Sequence, residues 1–120
     1  LWRDQTLSQL THDHTLMAEL VRHGQLSEKE ALEHPQRGVL TRALGVGPDV
    51  ELDSAVHPTM AGDRFLLCTD GLFTEVPPEE IASLMADGGA IQTVADALVE
   101  LALSRGGRDN VSVVVAEVSA

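Results

Sequence analysis

Two aspartates in this sequence sit where a sheet could hold them rigidly. The first is in Leu66-Leu67-Cys68-Thr69-Asp70-Gly71-Leu72, at the end of an apolar run. The second is in Gly106-Gly107-Arg108-Asp109-Asn110, just before the terminal run of valines. A carboxylate on the end of a rigid strand suits a metal ligand or a catalytic acid, because both need a fixed position. Gly71 frees the backbone just after Asp70, and Asn110 offers a hydrogen-bond partner beside Asp109. Carboxylate oxygens suit hard cations such as magnesium or manganese, not zinc, which favours nitrogen and sulfur. Taken alone, each motif also suits an ordinary turn.

The other reactive side chains carry less. His12 and His14 are only two apart at a helix start, so their side chains diverge and read as capping and packing groups. His34 precedes Pro35 in a loop. Cys68 lies inside an apolar strand and reads as a small buried hydrophobe. Arg37 and Arg42 could meet a phosphate or phosphopeptide, or could be plain surface charges. The sequence has no phosphate-binding Walker loop, no nucleophile elbow and no cysteine pair of zinc type. Trp2, Phe65 and Phe73 are its only aromatics, too few for a base-stacking platform.

The elements that position the aspartates follow from pattern. Leu1–Leu10 reads as a hairpin turning at Asp4-Gln5. A helix is expected from Asp13 as N-cap, with Thr11 competing, and Gly24 as its stop. Ser27 and Glu30 make a capping box for a second short helix. Val50–Val56 alternates apolar and polar residues and predicts a half-buried strand. Arg64–Thr69 predicts a strand buried on both faces. Pro77-Pro78-Glu79-Glu80 opens a helix, and Ile91, Val94, Ala95, Leu98, Leu101 and Ala102 mark the clearest one. Val111–Val118 is the last strand. Hairpin-linked strands favour an α+β layered fold with a mainly antiparallel sheet.

Composition narrows the partners. The 120 residues fit one small domain, with 43% hydrophobic and 22% charged residues. The net charge of −11 argues against a nucleic-acid partner or an anionic membrane, which attract basic surfaces. The charge is lopsided: residues 1–45 carry six acids against five bases, and residues 46–120 carry thirteen against three. One cysteine excludes an internal disulfide, and no apolar run approaches a membrane span. A reducing, cytoplasmic compartment is expected.

Together the motifs resemble a family. Gly62-Asp63-Arg64-Phe65-Leu66-Leu67-Cys68-Thr69-Asp70-Gly71-Leu72 followed by Gly106-Gly107-Arg108-Asp109-Asn110-Val111-Ser112-Val113 resembles the C-terminal half of the metal-dependent, type-2C (PPM) serine/threonine phosphatases. Leu10-Thr11-His12-Asp13-His14-Thr15, His34-Pro35-Gln36-Arg37 and Leu40-Thr41-Arg42-Ala43-Leu44-Gly45 resemble their bacterial branch. The resemblance implies part of a β-sandwich flanked by helices, with the N-terminal half missing. It implies a binuclear Mn²⁺ or Mg²⁺ centre to which Asp70 and Asp109 contribute ligands, supported by Gly71 and Asn110 and completed by residues absent from this chain. It implies that a metal-activated water hydrolyses phosphoserine and phosphothreonine proteins, the targets of Ser/Thr kinases. Residues 26–44 resemble the flap of bacterial members, where Arg37 and Arg42 would touch substrate. The 120 residues alone are expected to be inactive and poorly folded. The competing expectation is a phosphatase-like binding module without catalysis.

Overall fold

The computed structural model describes all residues from Leu1 to Ala120. In chain order the elements are β1 (Trp2–Arg3), β2 (Thr6–Leu7), α1 (Leu16–Arg22), α2 (Glu28–Glu33), β3 (Arg64–Cys68), α3 (Asp70–Phe73), α4 (Pro78–Met85), α5 (Ile91–Ser104) and β4 (Val113–Glu117). They fall into two compact units, one of residues 1–10 and 57–120, the other of residues 11–56.

The first unit holds one four-stranded sheet in the order β2-β1-β3-β4. All three pairings are antiparallel, as the hairpin-rich pattern predicts. The hairpin turns at Asp4 and Gln5, whose φ values of 48° and 62° are the pair of positive angles that a tight two-residue turn demands. In β3 and β4, Leu66 lies opposite Val115 and Cys68 opposite Val113. Leu66, Val113 and Val115 pack onto the helices, where Leu72 of α3, Met85 of α4 and Leu98 of α5 are fully buried. Each such side chain contributes roughly 1.5–3 kcal/mol by leaving water.

The alternate residues face away. Leu67 lies opposite Val114, and both are 61% exposed. The strand is therefore not buried on both faces, and burial falls along its length. Cys68 at its end is exposed, not a core residue, because the cover runs out before the last position.

Two charged pairs fasten this sheet. Asp63, only 1% exposed, accepts from Arg3 Nε at 2.7 Å and Nη2 at 2.6 Å, and from the Met60 amide at 2.8 Å. The Arg3 guanidinium holds its carboxyl down to about 2. Arg64 is also buried. It donates to Glu117 at 2.6 Å and to the carbonyls of Met85, Asp87 and Gly89, so it closes the C-terminal end of α4.

The second unit holds α1 and α2. Ser27 and Glu30 form the expected capping box, and Gly24 takes the left-handed conformation, φ 71°. The N-cap of α1 is Thr15, whose hydroxyl accepts from Ala18 at 3.1 Å, rather than Asp13 or Thr11. The preceding backbone is occupied elsewhere: Thr15 bridges Leu40, the Leu16 amide donates to Val39 and the Thr41 amide donates to His14. That extended pairing delays the helix. The strand expected over Val50–Val56 does not form. No strand pairs with this segment, and Leu52 is 81% exposed, so its alternation has no sheet to serve.

Candidate metal centre

The adjoining ends of β3 and β4 bring the two aspartates' segments together. Beyond the last paired residues, Cys68 and Val113, the Thr69 amide donates to the Ser112 carbonyl at 3.0 Å. The Thr69 hydroxyl accepts from the Ser112 amide at 2.9 Å and donates to the Asn110 carbonyl at 3.3 Å. One side chain thus extends the ladder past the sheet and fixes the entry to β4.

Asp70 is not the last strand residue but the first of the helical turn α3. Its backbone carbonyl accepts from the Thr74 amide at 3.0 Å and from the Thr74 hydroxyl. Its carboxylate is left without a protein partner. Gly71 is buried against the other segment: a Cβ there would stand 2.2 Å from the Asn110 carbonyl oxygen. Only glycine permits this approach.

Asp109 is exposed, and its Oδ1 accepts from the Asn110 amide at 2.7 Å. That contact turns the chain into β4 and leaves Oδ2 free. Asn110 therefore contributes through its backbone, by its amide to Asp109 and its carbonyl to Thr69 and Gly71. Arg108, one residue earlier, forks onto Glu75 with Nε at 2.8 Å and Nη2 at 3.0 Å. The arginine holds the Glu75 carboxyl below the usual range.

The donor chemistry fits a hard cation, and the Gly71 contact keeps the two carboxylate-bearing segments adjacent. No group of three or more His, Cys, Asp or Glu side chains gathers here.

In the second unit, Arg37 and Arg42 differ. Arg42 donates to Asp53 at 2.8 Å and lies 3.5 Å from Glu51. His14 Nε2 is 2.8 Å from the same Asp53. His14 and Arg42 together hold the Asp53 carboxyl down to about 2. His14 is thus one arm of a charged cluster, a partner that spacing along one helix did not reveal. Arg37 is exposed, and its side chain engages no neighbour.

No family model matches the chain, but sequence and structure comparisons agree. Serine/threonine phosphatase stp of Listeria welshimeri is 41% identical over 117 residues, covering 98% of this chain and 46% of that protein. The serine/threonine phosphatase of S. agalactiae superposes with a TM-score of 0.90 at 36% identity, covering 98% of this chain and 48% of the other. The catalytic domain of serine/threonine protein phosphatase PstP, solved in complex with two manganese ions, superposes with a TM-score of 0.83 at 40% identity, over 98% and 48%. The chain is similar to the C-terminal part of bacterial serine/threonine phosphatases in both sequence and structure. It spans about half the length of the curated relatives it matches. No helix is long and apolar enough to cross a membrane.

Proposed function

We propose that this chain is the C-terminal half of a metal-dependent phosphatase domain that removes phosphate from phosphoserine and phosphothreonine proteins. The observation that carries the reading is the close backbone approach of Gly71 to Asn110, which sets side by side the segments bearing two under-used carboxylates, Asp70 and Asp109. The homologues' names and the manganese in PstP support it.

In this reading Asp70 and Asp109 are ligands to Mn²⁺ or Mg²⁺. Such ions, when bound, neutralise phosphate charge and lower the pKa of water. The chain's own residues supply the frame. Gly71 lets α3 lie against the β4 loop, Asn110 fixes one Asp109 oxygen, and Thr69 locks both strand ends. The remaining ligands lie outside these 120 residues, so the chain by itself is inactive. The segment 26–44 acts as the flap, and Arg37 is its free cation for a phosphoprotein substrate. Arg42 acts through Asp53, by holding the chain that leaves the flap.

The test is Mn²⁺-dependent hydrolysis of a phosphothreonine peptide by the full-length protein. Asp70→Asn and Asp109→Asn each abolish it in this reading. A folded wild type without activity would instead support a phosphatase-like binding module.

A further inference from the structure

Glu75 is a carboxylate with its side chain only 4% exposed, and nothing in the chemistry proposed above uses it. It follows α3, and its amide donates to the Leu72 carbonyl at 3.1 Å. Val76, next in the chain, is fully buried in the core. Glu75 is therefore anchored from its own side. It reaches the loop between α5 and β4 with both oxygens. Oε1 accepts from Arg108 Nε at 2.8 Å and from the Arg108 backbone amide at 3.3 Å, and Oε2 accepts from Nη2 at 3.0 Å. The backbone contact matters most, because it fixes the loop itself one residue before Asp109. Arg108 is 78% exposed, so the pair is a buried anchor met by a solvated clamp. A planar fork on a carboxylate gives direction as well as charge. Gly106 and Gly107 precede it with φ values of 138° and 53°, so the backbone turns that only glycine takes readily lie just before the clamp.

We infer that Glu75 and Arg108 are positioning residues, whose ion pair ties the loop carrying Asp109 to the turn that follows Asp70. Asp70 lies five residues before Glu75, and Asp109 is the neighbour of Arg108. The pair is thus a second tie between the two carboxylate segments, separate from the Gly71–Asn110 contact. The part of this inference that concerns metal rests on the ligand reading above. The loop anchoring does not.

The experiment uses the full-length protein at a temperature where every variant is folded. Arg108→Ala breaks the clamp at an exposed side chain, and Glu75→Gln weakens it from the buried side. Arg108→Lys keeps the charge and loses the fork. Two quantities are read: amide exchange over residues 106–112, and Mn²⁺ affinity by titration calorimetry, with Asp109→Asn as the reference. Partners of metal ligands typically govern affinity by about 10- to 100-fold, and this indirect tie is expected to weaken it about 3- to 10-fold. Arg108→Lys is expected to fall between, and the Glu75→Gln/Arg108→Ala double variant to lose no more than the worse single. Saturating Mn²⁺ restores kcat in both single variants, and loop exchange speeds up with or without metal. If Asp109→Asn weakens Mn²⁺ while Arg108→Ala and Glu75→Gln leave both affinity and exchange at wild-type values, the inference is overturned. If Asp109→Asn leaves Mn²⁺ affinity unchanged, the ligand reading fails instead. Exchange then decides alone: faster exchange keeps the anchor, and unchanged exchange removes it.

Discussion

No side chain fits between residue 71 and the Asn110 carbonyl, because a Cβ would lie 2.2 Å from that oxygen and 2.9 Å from its carbon. Both obstructing atoms are backbone, so no rotamer change relieves the clash. Gly71→Ala must push the β4 loop away from α3. We expect a loss of about 1–3 kcal/mol, the usual range for overpacking, and a marked fall in Mn²⁺ affinity. Denaturant unfolding and metal titration of the full-length variant check both. Wild-type affinity in a destabilised variant would separate the contact from the metal site.

The core prediction is plainer. Leu98 is fully buried between α5 and the rest of the helical layer. Leu98→Ala leaves a cavity and is expected to cost about 2–5 kcal/mol. Chemical denaturation measures it.

Acid should loosen the attachment of the first hairpin. Asp63 has a folded pKa of about 2, below the ordinary aspartate value of about 3.9. A depressed carboxylate adds stability that is fully present above the unfolded pKa. That stability is lost as pH falls through the folded one. The window therefore runs from about pH 4 down to about pH 2. Unfolding curves across that window should fall more steeply for the wild type than for Asp63→Asn. Parallel curves would show that the Arg3 pair does not couple to folding.

Arg37 and Arg42 should separate in kinetics. Arg37→Ala removes a free guanidinium and is expected to raise the phosphopeptide KM severalfold with kcat and stability unchanged. Arg42→Ala releases Asp53 and Glu51, so faster amide exchange over residues 50–56 should accompany any change in KM. An unchanged KM in both variants would remove Arg37 and Arg42 from substrate binding.

The sequence announced the elements whose signals are local. Ser27 and Glu30 cap α2 from three residues apart, Asp4-Gln5 turns the hairpin, and the apolar stripe through Leu98 marks α5. Of the two aspartates expected at strand ends, Asp70 instead opens the helical turn just past β3, and Asp109 precedes β4. The failures are non-local. Val50–Val56 has the rhythm of a strand, but a strand needs a neighbour, and no sequence rhythm reports whether one exists. Thr15 displaced Asp13 as N-cap because Val39 and Thr41, more than twenty residues away, took the backbone groups first. Cys68 reads as core until the extent of the helical cover is known. The Glu75–Arg108 pair, 33 residues apart, carries no local signal that would join its two members.

Arg64 carries a consequence for the order of assembly. Its guanidinium satisfies carbonyls at the end of α4 from a strand more than twenty residues earlier. The amides of Ala86 and Asp87 close the carbonyls of Ala82 and Leu84, but the carbonyl of the last helical residue, Met85, is met by the sheet. A peptide of residues 77–90 should fray at its C-terminal end, and α4 should reach full protection only after β3 has docked. The end of α4 is expected to settle late in folding, together with the sheet that carries Arg64.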